Sequence, residues 1–170
     1  AGDFFQKALP TFGYSVIVAR ARDNQLRAFY NVCQHRGNHV ELRQRGHCVG
    51  FTCPFHGWTY GLDGKLVGVP DASGFFDLDK GKLGLRQLAL DVWEGFIFVN
   101  MDDKPSQTLE EAMGEQGRDL VGYPFASGQA VFEYEGTINC NWKSMIDSFC
   151  ETYHVPVLHR HSVKDTLAGP

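Results

Sequence analysis

Two short segments of the chain each pair a cysteine with a histidine and close with a glycine. The residues are Cys33, His35 and Gly37 in the first segment, and Cys53, His56 and Gly57 in the second. Thiolate sulfur and imidazole nitrogen are protein donors that iron and zinc bind well. Each glycine permits a tight turn of the backbone in its segment. Two such loops brought together would supply two thiolates and two imidazoles to a metal centre.

Three interpretations of this donor set compete. A structural zinc site usually combines Cys-x2-4-Cys arms or two histidines on one helical turn, whereas both arms here are mixed. Unrelated loop residues would have to produce two cysteine and histidine pairs that each precede a glycine. In a two-iron, two-sulfide cluster, two cysteines can hold one iron while two histidines hold the other. The mixed arms favour this last interpretation.

The two segments together resemble the Rieske cluster motif. They read Cys-Gln-His-Arg-Gly from Cys33 and Cys-Pro-Phe-His-Gly-Trp from Cys53. The resemblance implies that a 2Fe-2S cluster is bound by both cysteines at one iron and by His35 and His56 at the other. Trp58 is predicted to pack as a lid over the pair of loops.

Rieske proteins of the respiratory-complex type carry an extra cysteine in each loop, and the two are joined as a disulfide. The corresponding places in this chain hold Asn38 and Phe55. The resemblance is therefore to the oxygenase or ferredoxin type, which has no such bridge.

The composition is that of a globular protein and excludes several kinds of partner. Of the 170 residues, 43% are hydrophobic and 13% aromatic, and the formal net charge is -4. We expect no nucleic-acid partner, because there is no basic field, and no membrane partner, because no apolar run of about 18 residues exists. The three cysteines outside the motif show no disulfide framework, which predicts a reducing, cytoplasmic location. The chain begins without Met or a signal sequence, so we expect an N-terminal segment to be missing.

The first hundred residues are predicted to be mainly antiparallel β, with the two loops carrying the chemistry. Runs of β-branched and aromatic residues flank short turn dipeptides, which is typical of hairpins. The predicted hairpins pair residues 14–20 with 26–31 around Asp23-Asn24, 58–62 with 65–69 around Asp63-Gly64, and 85–93 with 96–100 around Glu94-Gly95. One further strand is predicted over residues 47–52, and residues 70–83 form a surface excursion. The fold class is thus a Rieske-type antiparallel β-sandwich followed by the α+β start of a second domain.

A polar stretch that ends in proline, residues 101–106, predicts the boundary between the domains. The predicted domains are residues 1–103, which hold the 2Fe-2S motif, and residues 104–170. A capping box of Thr108 and Glu111 predicts a helix that runs to about Leu120. Alternation of apolar and polar residues predicts a strand over residues 130–139. Its packing candidates are Val131, Phe132, Tyr134 and Ile138.

A helical period begins at Asn141, with apolar residues at steps of three and four. On one helix continuing to about Val155, Asp147, Glu151 and His154 would share a face. We expect Pro156 to end that helix, because a straight helix would rotate His159 about 140° away from His154. The two imidazoles can then turn towards one metal ion.

Two histidines and one carboxylate form the facial triad of non-haem Fe(II) oxygenases. The spacing does not force either Glu151 or Asp147 to be the third ligand, and both can instead orient a histidine nitrogen. His161 lies close enough in the sequence to be a rival of His159.

The segment from Asn141 to His159 resembles the opening of the catalytic domain in Rieske non-haem iron aromatic-ring-hydroxylating oxygenases, large (alpha) subunit. The resemblance implies that His154 and His159 bind a mononuclear Fe(II). It also implies that Glu151 relays electrons from the Rieske centre of a neighbouring subunit. The third iron ligand, a carboxylate, is expected beyond Pro170.

The resemblance implies a terminal oxygenase that uses O2 to hydroxylate an aromatic or other small organic substrate. Its electrons would come from NAD(P)H through a ferredoxin and/or a flavin reductase. A homotrimer is expected, with or without a beta subunit, and the 170-residue piece is expected to have no turnover alone. The alternative is a Rieske-type ferredoxin, an electron carrier only. Such ferredoxins end near the place of Asn100, so the seventy residues that follow argue against it.

Overall fold

The computed structural model of the chain describes residues 1–102, 104–129, 132 and 134–163. The contacts divide the chain into two compact units, Ala1–Gly128 and Gln129–Pro170. The strands are β1 Asp3–Leu9, β2 Tyr14–Arg20, β3 Leu26–Tyr30, β4 Arg45–His47, β5 Gly50–Thr52, β6 Thr59–Gly61, β7 Leu66–Gly68, β8 Gln87–Trp93 and β9 Phe96–Asn100. The α-helices are α1 Leu109–Asp119, α2 Trp142–Phe149 and α3 Val155–Leu158. Short 3-10 turns occupy Pro10–Phe12, Ala72–Gly74, Lys80–Lys82 and Phe125–Ser127.

The first unit contains two antiparallel sheets, as the sequence predicts. The larger has the strand order β4-β1-β2-β3-β8-β9, and the smaller has the order β5-β6-β7. An edge-to-face contact between Phe4 of β1 and Phe51 of β5, with ring centroids 5.5 Å apart, joins the two sheets. Both loops that carry the cysteine and histidine motif lie in this unit.

Strand β2 is buried on both faces, which explains its continuous apolar run. Ile17 and Ala19 face one core together with Phe29, whereas Val16 and Val18 face a second core on the other side of the sheet. Burying a side chain such as Ile17 or Phe29 contributes roughly 1.5–3 kcal/mol. The first of these cores also includes both cysteines of the motif, so the candidate site is built on the hydrophobic core of the unit.

The three predicted hairpins are confirmed, and their turn residues explain them. Asn24, Gly64, Glu94 and Gly95 all have positive φ, the conformation that tight hairpin turns require. At Gly64 the requirement is also steric, because an added Cβ would lie 2.5 Å from the ring of Phe29. The pairing between β6 and β7 contains a register irregularity at Thr59 and Tyr60.

The single strand predicted over residues 47–52 is wrong, because two strands of different sheets occupy that region. Strand β4 pairs with β1 in the larger sheet, while β5 pairs with β6 in the smaller one. The amide of Cys48 still donates a 2.9 Å hydrogen bond to the carbonyl of Gly2 before the chain crosses between the sheets. Gly50 begins β5 where an added Cβ would lie 2.7 Å from the carbonyl oxygen of Tyr60. Because β4 and β5 belong to different sheets, residues 47–52 do not form one strand whose side chains alternate between two faces.

The predicted helix after residue 107 is confirmed as α1. Thr108 accepts a hydrogen bond from the amide of Glu111, and the Glu111 carboxylate accepts one from the amide of Thr108, so both halves of the capping box form. Gly114, with φ 59° and ψ -148°, kinks the helix. The helix belongs to the first unit.

In the second unit, the strand predicted over residues 130–139 does not form in the part that is described, residues 132 and 134–139. Phe132, Tyr134 and Ile138 are 79%, 82% and 63% exposed, so none of them packs as predicted. Alternation alone does not make a strand, because a strand needs a neighbour to satisfy its backbone groups. Val131, the remaining packing candidate, lies outside the described residues.

The long helix predicted from Asn141 to about Val155 is also wrong. Asn141 caps α2 by accepting a hydrogen bond from the amide of Lys143, but α2 ends at Phe149. Pro156 lies in the first turn of the separate helix α3, where its missing N–H costs nothing. Asp147, Glu151 and His154 therefore do not share one helical face. None of the helices in the described part of the chain is long and apolar enough to cross a bilayer.

Candidate metal centres

The two motif segments fold into loops with the same backbone frame. The first ligand loop is residues 33–38 and the second ligand loop is residues 53–58. In each loop the cysteine amide donates a 2.8 Å hydrogen bond to the carbonyl five residues later, and the glycine amide donates a 3.0 Å hydrogen bond back to the cysteine carbonyl. Gly37 and Gly57 have φ of 74° and 72°, a left-handed conformation that glycine adopts at little cost. The loops are thus two copies of one turn, each presenting a cysteine and a histidine.

The two thiols lie beside each other in the protein interior. Cys33 and Cys53 are each only 2% exposed. Burial raises the pKa of the Cys53 thiol, but hydrogen bonds from the amide of Phe55, from Cys33 and from the amide of His56 outweigh it, so its pKa lies below the ordinary value. Amides that point at a sulfur stabilise its thiolate, which is the form that binds a metal.

The two imidazoles also lie beside each other, with ring centroids of His35 and His56 4.6 Å apart. His35 Nδ1 is buried and has no hydrogen-bond partner among the residues that the structure describes. Burial, and then the neighbouring His56, lower the pKa of His35, which favours the neutral imidazole that metals bind. A buried, unpartnered ring nitrogen of this kind is the feature expected of a metal ligand.

Aromatic side chains enclose His35 and leave His56 at the surface. Trp58, the predicted lid, is 3% exposed and stacks on His35 with centroids 4.8 Å apart and ring planes 9° apart. Phe75 contacts both rings edge-on. His56 is exposed, and the ring of Phe55 lies 4.0 Å from it, centroid to centroid. The two imidazoles therefore have different surroundings.

Tyr60 is a functional candidate that the motif did not reveal. Its side chain is fully buried in β6, and its hydroxyl lies 3.2 Å from Cys33 Sγ while accepting a 3.0 Å hydrogen bond from the amide of Gln34. Burial and the contact with Cys33 raise the pKa of the Tyr60 phenol far above its ordinary value, so the phenol keeps its proton. Its position two residues after Trp58, on the inward face of a strand, is the one signal that the sequence offers.

Asn38 and Phe55 stand at the places of the disulfide cysteines of the respiratory type. Asn38 Nδ2 lies 3.9 Å from Cys53 Sγ, and the second residue covers His56 as described above. Asn38 of the first ligand loop therefore lies near a candidate ligand of the second loop, and Phe55 contacts a candidate ligand of its own loop. All five cysteines of the chain are free.

The donor set fits a two-iron cluster better than a single ion. A tetrahedral zinc site needs four donors around one point, yet no three Cys, His, Asp or Glu side chains converge on one point among the described residues. A Rieske cluster needs only two protein ligands at each iron, and its sulfides fill the space between. An adjacent pair of buried thiols and an adjacent pair of imidazoles meet that requirement.

The second unit brings together a different pair of histidines. His154 and His159 flank the single turn α3, and their ring centroids lie 5.4 Å apart. The carboxylate of Glu151 contacts His154 Nδ1 and accepts a 3.2 Å hydrogen bond from the amide of His154. The hydrogen bond from His154 lowers the pKa of the Glu151 carboxyl.

The other predicted participants of the second site are placed differently. Asp147 lies in the last turn of α2, and no described hydrogen bond joins its carboxylate to either histidine. His161 Nε2 accepts a 2.9 Å hydrogen bond from Arg160, so this rival nitrogen is already occupied. No third ligand for an iron between His154 and His159 converges within the described residues.

Comparison with known protein families accounts for both regions. Residues 2–88 match the family described as the Rieske [2Fe-2S] domain. Residues 102–169 match the family described as the ring hydroxylating alpha subunit, catalytic domain. The predicted fold class, a Rieske-type β domain followed by the start of a catalytic domain, is confirmed by these matches.

Individual relatives and solved structures agree with the family matches. The oxygenase subunit of carnitine monooxygenase from Escherichia coli K12 is 32% identical over 161 residues, covering 94% of this chain and 42% of that protein. The large oxygenase component of naphthalene 1,2-dioxygenase from Pseudomonas aeruginosa is 34% identical, covering 88% of this chain and 34% of that protein.

Among solved structures, a quaternary ammonium Rieske monooxygenase bound to L-carnitine superposes with a TM-score of 0.80 at 29% identity, covering 94% of this chain and 45% of that one. Naphthalene 1,2-dioxygenase from Rhodococcus sp. superposes with a TM-score of 0.78 at 32% identity, covering 96% of this chain and 38% of that one. The chain thus spans less than half the length of these relatives. It belongs to the family of Rieske oxygenase large subunits, in which a Rieske [2Fe-2S] domain precedes a ring-hydroxylating catalytic domain.

Proposed function

We propose that this chain is part of the terminal oxygenase of a Rieske non-haem iron system that hydroxylates a small organic substrate with O2. The observation that carries the proposal is the presence, in one chain, of two different histidine pairs. One pair accompanies two buried thiols, and the other pair accompanies a carboxylate. An electron carrier needs only the first of these pairs.

In this proposal Cys33 and Cys53 hold one iron of a 2Fe-2S cluster, and His35 and His56 hold the other. When bound, the cluster supplies a one-electron carrier and the mononuclear Fe(II) supplies the chemistry of dioxygen activation. The backbone amides of the second ligand loop stabilise the thiolate of Cys53. Trp58 excludes water from His35 and fixes the plane of its ring. The exposed side chain of His56 would be the surface through which a bound cluster exchanges electrons with a partner.

His154 and His159 are proposed as two ligands of the mononuclear Fe(II), with the third, a carboxylate, beyond Pro170. Glu151 accepts the hydrogen bond of His154 Nδ1, which fixes the tautomer of the ring and leaves Nε2 free for a metal. Glu151 is therefore a positioning residue within its own chain. We further propose that it relays electrons from the cluster of a neighbouring subunit. Asp147 is proposed only as a residue that acts through others, because no described hydrogen bond joins its carboxylate to either histidine.

The proposed partners follow from the separation of the cluster from the mononuclear iron. A ferredoxin and/or a flavin reductase delivers electrons from NAD(P)H, and a head-to-tail homotrimer would bring the cluster of one subunit next to the mononuclear iron of its neighbour. A related structure is described as revealing inter-subunit electron transfer, which supports this arrangement. A beta subunit is compatible with it. We place the protein in the cytoplasm, where its free thiols persist.

The substrate is proposed only as a small organic molecule. Relatives of similar identity include a carnitine monooxygenase, a naphthalene dioxygenase and a methanesulfonate monooxygenase. These names span quaternary ammonium compounds, aromatic hydrocarbons and a sulfonate, so identity near one third does not select one substrate or decide between monooxygenation and dioxygenation.

Iron and acid-labile sulfide per chain test the proposal in the full-length protein. The oxygenase is expected to hold three irons and two sulfides. His154→Ala is expected to hold two irons and two sulfides, and Cys33→Ser, the matched control at the other centre, is expected to lose the sulfides. Two irons in both the unmodified protein and His154→Ala would support the alternative, a Rieske-type ferredoxin. We expect residues 1–170 alone to show no turnover.

A further inference from the structure

The two ligand loops share one backbone frame, but different interactions join the segments that flank each loop. The second ligand loop joins β5 to β6, and the strand pair Thr52 and Thr59 closes its base. Their side-chain hydroxyls add a 3.1 Å hydrogen bond across the pair. The first ligand loop leaves β3 after Tyr30, and the chain that returns from it, residues 40–44, belongs to no strand. No ladder of backbone hydrogen bonds therefore closes its base.

The side chain of Asn31 supplies the hydrogen bonds that a ladder would otherwise make. Its Oδ1 accepts from the amides of Val40, at 2.9 Å, and Glu41, at 3.0 Å. Its Nδ2 donates to the carbonyl of Glu41, at 2.7 Å, and to Ser15 Oγ, at 3.2 Å. The residue is completely buried, and its own amide donates to the carbonyl of Ser15 at 2.8 Å. Three of the four side-chain hydrogen bonds thus join the segment just before the first ligand loop to the segment just after it.

We propose that Asn31 is a positioning residue that closes the base of the first ligand loop and so sets where Cys33 and His35 stand relative to the second ligand loop. The inference rests on the proposed function, because it assigns the cluster to these loops. Asn31 lies two residues before Cys33, and its partners begin five residues after His35. If these hydrogen bonds were lost, Cys33 and His35 would shift together, whereas the ligands of the second loop would stay in place.

The chemistry of the position requires an asparagine. An amide has two donors and an oxygen with two lone pairs, and here all four sites are used. Aspartate keeps the two accepted hydrogen bonds but loses both donors. Alanine leaves the amides of Val40 and Glu41 and the carbonyl of Glu41 buried without partners, and each such group lowers the free energy of unfolding. The sequence alone gives no sign of this, because an asparagine before a loop is common.

Hydrogen exchange in the metal-free protein tests the closure without any cluster. In Asn31→Ala the amides of Val40 and Glu41 are expected to exchange at least about tenfold faster, since one lost hydrogen bond corresponds to roughly that factor. The amides of Cys53 and Gly57, in the second ligand loop, are expected to be unchanged. Ser15→Ala is the matched control, because it removes one hydrogen bond from Asn31 and none that closes the loop.

The reconstituted protein tests the consequence for the cluster. In Asn31→Ala, release of iron to a chelator is expected to be about tenfold faster, and the EPR g values and the reduction potential are expected to shift. Asn31→Asp is expected to fall between Asn31→Ala and the unmodified protein. Ser15→Ala is expected to release iron within about twofold of the unmodified rate. Far-UV circular dichroism establishes that each variant is folded.

Several outcomes would overturn the inference. The inference is wrong if Asn31→Ala and Ser15→Ala show the same amide exchange rates, the same rate of iron release and the same reduction potential. If Asn31→Ala does not fold, the same equality between Asn31→Asp and Ser15→Ala decides against it. An unmodified protein with no Rieske-type EPR signal would instead refute the proposed function, while the exchange of the Val40 and Glu41 amides would still decide the role of Asn31.

Discussion

Replacing Tyr60 by phenylalanine removes one hydroxyl from the candidate cluster site and leaves the buried ring in place. The hydroxyl accepts a hydrogen bond from the amide of Gln34, so its own proton is free for Cys33 Sγ at 3.2 Å. A cysteine that binds iron is a thiolate and has no proton to donate. In the loaded protein the phenol must therefore be the donor.

The size of the effect follows from the charge that the hydrogen bond stabilises. A hydrogen bond to a charged group contributes about 1.5–3 kcal/mol, and only the difference between the reduced and oxidised cluster changes the potential. Reduction adds negative charge, so the donor stabilises the reduced state more. If the difference is about 1 kcal/mol, the potential of Tyr60→Phe falls by about 40 mV, because a tenfold change in a one-electron equilibrium is about 59 mV.

A redox titration followed by EPR measures this shift directly. Tyr30→Phe is the matched control, because it removes a hydroxyl that donates a 3.3 Å hydrogen bond to the carbonyl of Met101, away from both ligand loops. We expect its potential to equal that of the unmodified protein within about 10 mV. An unchanged or raised potential in Tyr60→Phe would refute the assignment of the phenol as a donor to Cys33.

Two further predictions concern the fold that carries the site. Gly64→Ala is expected to lose about 3 kcal/mol of unfolding free energy in urea, from a positive φ and a clash with Phe29, whereas Gly13→Ala, also at positive φ but with nothing within 4 Å, is expected to lose about 1 kcal/mol. Equal losses would contradict the role of the clash. The hydrogen bond from Arg27 and that from the amide of Gln25 lower the pKa of Asp23 to about 2, so its contribution to stability is present above about pH 4 and disappears as the pH falls towards 2. Asp23→Asn is expected to make the midpoint of urea unfolding nearly independent of pH between about pH 2 and pH 4. An unaltered pH dependence of that midpoint would count against the ion pair.

Much of the first unit could be predicted because its signals are local. A turn such as Asp63-Gly64 or Glu94-Gly95 needs positive φ at fixed positions, and the flanking runs fix the strands. The cysteine and histidine loops were predictable for the same reason, because each is a single turn closed by its own glycine. Both features depend on residues that are close in the sequence.

The errors lie where distant residues decide the outcome. The strand predicted over residues 47–52 breaks because β4 and β5 belong to different sheets, which no local pattern records. The helix after Asn141 ends at Phe149, and Pro156 starts a new turn instead of ending an old one. The roles of Tyr60 and Asn31 could not be predicted from the sequence, because each side chain contacts residues that are nine or more positions away.

Pulsed EPR of the reduced protein with 15N-labelled histidine tests the central claim most directly. Mixed ligation by two cysteines and two histidines predicts couplings from two ligating histidine nitrogens, and only one such coupling in His56→Cys. The same two couplings in His56→Cys, or none in the unmodified protein, would contradict the assignment of His35 and His56 as cluster ligands.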